Sequence, residues 1–220
     1  MEVFTTEEQQ LEVIKKWWRA NGVSVLIGAA LGIAAIAGWK FYQQNVLNKA
    51  VAASDAYEVV IKLADAADQR AEFKQKTETL VSEHQGTVYA QFGQLYLARE
   101  AVRDNDLVRA ATLLQSVAGK PEHEAIGHVA TVRLARVKLA QGELDAALKL
   151  VEIGKEKAGA YAGAYALVRG DVLTVLKRAT EANAAYQEAS AEGSAVAKDP
   201  ALALKLDASA LPALNVDGGK

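Results

Sequence analysis

The chain has no cysteine. Disulfides, thiolate nucleophiles and Cys-ligated zinc are therefore excluded, and stability must come from apolar burial. Proline is scarce. Pro121, Pro200 and Pro212 are the whole complement, so nothing in the first 120 residues forces a helix to break. A surplus of one charge is missing too: 25 Lys and Arg stand against 27 Asp and Glu, mixed along the chain. A nucleic-acid footprint needs a clustered basic surface, so no nucleic acid is expected as a partner.

Catalytic signatures are equally absent. There is no G-K-[ST] phosphate loop and no G-x-S-x-G elbow. "HEAIGH" sets His123 and His128 at i, i+5, about 140° apart on a helix, where a zinc-protease helix needs i, i+4. "RGDVL" (Arg169 to Leu173) lies in a helical pattern, where Gly170 serves as a small contact residue. Glu143 and Asp145 lie at a turn, where they favour the positive end of the next helix. These residues imply no enzyme, no cofactor and no metal.

What the chain does have is helix formers: Ala, Leu, Glu, Lys, Gln and Arg are abundant. It also has one long apolar run. Ala20 to Trp39 holds 20 uncharged residues, which as a helix would span about 30 Å, the thickness of a bilayer's hydrocarbon core. Every tryptophan lies at its edges, Trp17 and Trp18 before and Trp39 after, where indole rings suit a membrane interface. The run is read as a membrane helix in a lipid bilayer. Gly28 and Gly32 form a G-x-x-x-G that lets another helix approach closely.

Lys15, Lys16 and Arg19 precede the run; Lys40 and Lys49 follow it. The basic excess favours a cytoplasmic N-terminus. Ala35-Ile36-Ala37 has the A-x-A form of a signal-peptidase site. Glu2, Glu7, Glu8, Glu12 and the Trp17–Trp18 edge argue against cleavage there. The lead-in segment carries Leu11, Ile14 and Trp18 at helical spacing, compatible with a short amphipathic helix.

Past Tyr42 the chain alternates apolar and charged residues with helical period. Residues 43–69 contain no Pro or Gly and should continue as one rod, with Tyr57, Ile61 and Ala64 as its stripe. A second helix is expected near Ala71–Glu83, ending at Gly86. Self-similarity follows. "LARVKLAQGELDAALKLV" holds Ala135, Gly142, Leu144 and Ala147; "LAREAVRDNDLVRAATLL" sets Ala98, Asn105, Leu107 and Ala110 in the same places. "RGDVLTVLKRATEANAAY" supplies Gly170, Lys177 and Ala182, with Tyr186 in its second helix. The offsets are 37 and 35 residues.

This pattern resembles the tetratricopeptide repeat: a small residue in the first helix, a glycine turn, and an alanine where the second helix closes on the first. The expected fold is all-α, a transmembrane helix followed by a tetratricopeptide-like α-solenoid of stacked hairpins. The expected layout is a cytoplasmic segment (1–19), the membrane helix (20–41), a linker helix and capping pair (42–86), repeats (87–198), then a closing helix and disordered tail (199–220). First helices line the concave side of such a stack. Leu95, Val132 and Leu167 are expected there as an apolar strip, with Arg99, Arg136 and Asp171 a turn further on and Arg103 beyond Arg99. Such a strip could hold a peptide or a partner helix.

The whole layout resembles the YfgM family. The likeness is carried by "MEVFTTEEQQLEVIKKWWRANG", a membrane helix ending "GWKFYQQN", "RLARVKLAQGELDAALKLV", "VRGDVL" and a tail with "LKLD". The resemblance implies a single-pass protein of the bacterial inner membrane with a periplasmic repeat domain. It implies as partners the Sec translocon channel, a membrane-anchored prolyl-isomerase-like periplasmic chaperone and exported client polypeptides. It also implies an alternative role: negative control of an envelope-stress response regulator through the cytoplasmic segment.

Overall fold

The structure is a computed structural model and describes residues 7–64, 66–155, 158–191 and 193–210. Nine α-helices and no strand occur among the described residues. The tail "VDGGK", expected to be disordered, lies outside them.

The first helix, α1, runs Glu7–Ala64 without interruption, as a proline-free stretch of helix formers allows. Two compact units divide within it, between Val51 and Ala52. In the first unit one helix is long and apolar enough to cross a membrane, and only 6% of its apolar window is buried. Val23, Leu26, Leu31, Ile33 and Ile36 are all exposed. Among the described residues almost nothing packs on this apolar window, as suits a membrane-spanning helix.

The second unit begins with the end of α1. Its inward stripe is Ala53 and Val60, buried, with Tyr57 and Ala64 partly buried, at i, i+7, i+4 and i+11. This corrects the expected stripe at one position: Ile61 is 42% exposed, whereas Val60 is fully buried against Phe73 and Leu80. One residue is a rotation of about 100° on a helix, enough to turn Ile61 away from the core. The next helix, α2 (Arg70–Glu83), buries Phe73, Thr77 and Leu80 on one face. The left-handed Gly86 (φ +75°) follows it, and the Thr87 side chain accepts a hydrogen bond from the Ala90 N–H to start the next helix.

Three helix pairs follow: α3 (Val88–Arg103) with α4 (Leu107–Gly119), α5 (Glu124–Ala140) with α6 (Leu144–Lys155), and α7 (Ala162–Val175) with α8 (Ala179–Ala189). The turn is the same in each. Asn105, Gly142 and Lys177 all take the left-handed conformation, φ +60°, +78° and +59°. The residue after each donates its N–H back to the first helix: Asp106 to Ala101 (2.8 Å), Glu143 to Lys138 (2.9 Å) and Arg178 to Leu173 (2.9 Å). Each first helix thus ends in a Schellman motif, which satisfies carbonyls that would otherwise lack partners.

Small residues let each pair close. Ala98, Ala135 and Gly170 are buried in the first helices; Ala110, Ala147 and Ala182 are buried opposite. A Cβ on Gly170 would lie 2.4 Å from the Tyr186 ring, so a hydrogen is required there. Cores form between successive pairs as well as within them. Leu114 and Val117 pack with Ile126, Ala130 and Leu134, and Val151 packs with Tyr165, Val168 and Val172. Truncating one such leucine to alanine costs about 3 kcal/mol.

The last described helix, α9 (Pro200–Ala210), closes the stack. Leu202 is 1% exposed among Leu167, Leu173 and Ala182. Lys205 Nζ reaches Asp171 Oδ1 at 2.6 Å, and Asn183 Nδ2 donates to Ser209 Oγ at 2.9 Å.

Candidate interaction groove

The first helices of the first two pairs form the walls. On α3, Val88, Phe92, Leu95 and Val102 follow helical spacing; on α5, Ile126, Val129, Arg133 and Val137 do the same. Two adjoining cavities lie between them, about 580 and about 420 Å³, and both are lined by Leu95, Arg99 and Arg133. The result is a furrow running along two helices.

Aromatic side chains build one end. Tyr57 from α1 lies 5.5 Å from Tyr89 and 5.4 Å from Phe92, ring centre to ring centre. Burial, then its hydrogen bond with Tyr96, pushes the Tyr57 hydroxyl up to about 12. The phenol is therefore neutral, and aromatic rings line this end of the furrow.

Arginines build the other end. The Arg99 guanidinium stacks over Tyr96 at 5.1 Å and Phe73 at 5.8 Å. Arg99 and Arg103 flank the Glu100 carboxylate at 3.5 and 3.0 Å. Arg133 and Arg136 form no ion pair or hydrogen bond among the described residues. Burial, then the charges of Arg136 and Arg99, holds Arg133 below the usual arginine range. Among the described residues that line the two cavities there are four arginines and no Asp or Glu.

The structure brings together four of the expected groove residues, Leu95, Arg99, Arg103 and Arg136. It takes two others elsewhere. Val132 is 6% exposed and packs with Ala147, Val151 and Val168 between the second and third pairs. Leu167 is 4% exposed under α9, beside Leu202. Asp171 is likewise engaged, by Lys205 of α9 and by the Tyr186 hydroxyl at 3.0 Å. The physical reason is that the third pair packs over Val132 and α9 covers Leu167 and Asp171, so the open furrow belongs to the first two pairs.

Sequence reasoning passed over Arg133 and Phe92, and placed Tyr57 only in the packing stripe of its helix. Arg133 sits four residues after Val129 and three before Arg136, a face that helical spacing alone would have marked. Tyr57 comes from a helix outside the repeats, so no repeat alignment could supply it.

Other residues singled out in the sequence hold the fold. His123 caps α5, its Nδ1 accepting the Ala125 N–H at 3.2 Å. His128 Nδ1 lies 2.9 Å from the Tyr165 hydroxyl. Among the described residues no three His, Asp or Glu side chains cluster as metal ligands. Arg169 pairs with Glu188 at 2.6 Å, so "RGD" is tied into the helix pair. In the first unit Trp17, Trp18 and Trp39 are exposed, and a Cβ on Gly28 or Gly32 would meet nothing within 4 Å.

A family model described as "Tetratricopeptide repeat-like domain" matches residues 15–210. Three curated bacterial proteins, each named "Ancillary SecYEG translocon subunit", are similar along most of their length. The one from Escherichia coli K12 is 30% identical over 173 residues, 79% of this chain and 82% of that protein. The one from Haemophilus influenzae is 26% identical over 188 residues, 86% of this chain and 90% of that protein. The one from Aggregatibacter actinomycetemcomitans is 28% identical over 183 residues, 83% and 88% of the two chains. No solved structure matches the chain. A long apolar helix, three left-handed repeat turns and these relatives agree: the chain belongs to the YfgM family of tetratricopeptide repeat-like proteins.

Proposed function

We propose that this protein is a non-catalytic adaptor, tethered to the bacterial inner membrane by α1, which works beside the SecYEG channel. Its N-terminus lies in the cytoplasm and its repeat unit in the periplasm. There it associates with a membrane-anchored prolyl-isomerase-like chaperone and helps hand exported polypeptides onward. Trp17, Trp18 and Trp39 hold α1 at the two membrane interfaces, and Gly28 and Gly32 face a neighbouring membrane helix.

The observation that carries this reading is the furrow between α3 and α5. Its apolar floor and arginine rim are suited to gripping polypeptide. The relatives' shared name, with the coverage stated above, supports the Sec channel as the neighbour.

The test is co-purification from native membranes in mild detergent. The full-length protein should bring down SecYEG, and so should a form lacking residues 1–14. Solitary protein, or association lost with residues 1–14, would reject the reading.

A further inference from the structure

We propose that the furrow between α3 and α5 accepts an acidic polypeptide segment: its Asp or Glu side chains pair with Arg133 and Arg136, and its apolar side chains sit on Phe92, Leu95 and Val129. This rests on the adaptor reading above and adds the chemistry of what is gripped.

Charge complementarity carries the assignment. The whole protein is slightly acidic, net −2, yet the described lining of the two cavities holds four arginines and no carboxylate. Arg99 and Arg103 share Glu100, which lies 2% exposed on the far side of α3 and is also bound by Arg70 at 2.5 Å. Arg133 and Arg136, by contrast, have no partner among the described residues. Like charges held together beside an apolar floor repel. A ligand of opposite charge would relieve that repulsion. The same repulsion rejects a basic segment, which gives selectivity by exclusion as well as by attraction.

Apolar contact is the second half. Val88, Phe92 and Leu95 continue the furrow away from Arg103 and Arg136, toward the Tyr57 ring cluster. A ligand seated on both ends needs apolar side chains and carboxylates about two helical turns apart, roughly 10 Å. A free small anion would leave the apolar end unused, and a neutral apolar peptide would leave the arginines unpaired.

The experiment uses the full-length protein in nanodiscs of zwitterionic lipid. Two fluorescein-labelled peptides share a Leu and Phe framework; one carries Glu at its charged positions, the other Lys. Fluorescence anisotropy should show the Glu peptide bound about tenfold or more tightly over the Lys peptide, with affinity falling as salt rises. The R133E/R136E pair should reverse the preference, while R133Q/R136Q should weaken the Glu peptide without gaining the Lys one. Equal affinity for both peptides, or an unchanged preference in R133E/R136E with an unchanged melting profile, would overturn the proposal. So would no binding of either. A photo-crosslinking residue at Val129 in native membranes separates the two readings. Adducts to basic segments sink the acidic chemistry but keep the adaptor, whereas absence of any polypeptide adduct sinks both.

Discussion

Three residues decide how each helix pair turns. Asn105, Gly142 and Lys177 share one left-handed backbone conformation, but only glycine takes it without a Cβ cost. The sequence pattern marks Gly142 at once, whereas Asn105 and Lys177 look like departures from the repeat. The structure removes that distinction: the neighbouring bonds, Arg178 N–H to Leu173 O at 2.9 Å among them, impose the turn on any residue that stands there. Lys177→Gly is therefore expected to stabilise the repeat unit by about 0.5 kcal/mol, the conformational relief offset by a freer unfolded chain. Gly142→Ala should destabilise it by about 1 kcal/mol, a fall in melting temperature of roughly 2–4 °C. Thermal unfolding followed by circular dichroism checks both, and equal melting of the two variants would contradict the shared geometry. Gly170 is a different case, since its need is space. Tyr186 is 3% exposed and its hydroxyl lies 3.0 Å from both Asp171 and Thr174, so it cannot swing aside. Gly170→Ala should cost about 1–3 kcal/mol.

Between α2 and α3 an ionic network adds to apolar packing such as Phe73 on Tyr96. Arg70 bridges Glu100 (2.5 Å) and Asp104 (2.7 Å), and Lys74 adds a bond to Asp104. Burial opposes ionisation of Glu100, but hydrogen bonds and charge from Arg70 and Arg103 outweigh it and hold its carboxyl below the ordinary 4.5. The hydrogen bonds of Lys74 and Arg70 hold Asp104 below its ordinary 3.8. Both are depressed in the folded state. Their contribution is thus complete above pH 4.5, the unfolded value for Glu100, and is lost as pH falls through the folded values. Unfolding midpoints should drop on acidification below about pH 4.5, and Glu100→Gln should lower stability near neutrality and flatten that slope. A slope unchanged in Glu100→Gln would show that the Glu100 ion pairs contribute nothing to the joint. Little of this was legible from sequence, since α2 and α3 meet through charges about 30 residues apart and no spacing rule links them. The helices themselves were legible: the proline-free run gave α1, and Leu202 with its neighbours gave α9. What the pattern could not tell was that α9 would cover Leu167 and confine the open furrow to α3 and α5.

At the scale of the whole molecule, an apolar helix with exposed sides and a repeat unit with an arginine-rimmed furrow serve one purpose on the account proposed here. The first fixes where the protein works and the second what it grips. Placing Asp at both Leu26 and Leu31 should cost several kcal/mol of insertion free energy and release the protein from membranes, read as its appearance in the soluble fraction. Membrane retention of that variant would argue against α1 as the anchor. The most direct measurement is site-specific photo-crosslinking from Val129 in living cells, followed by isolation of SecYEG under mild conditions. The account predicts a polypeptide adduct at Val129 that co-isolates with the channel and diminishes in R133E/R136E. A Val129 probe that captures no polypeptide, or adducts that never accompany SecYEG, would contradict it.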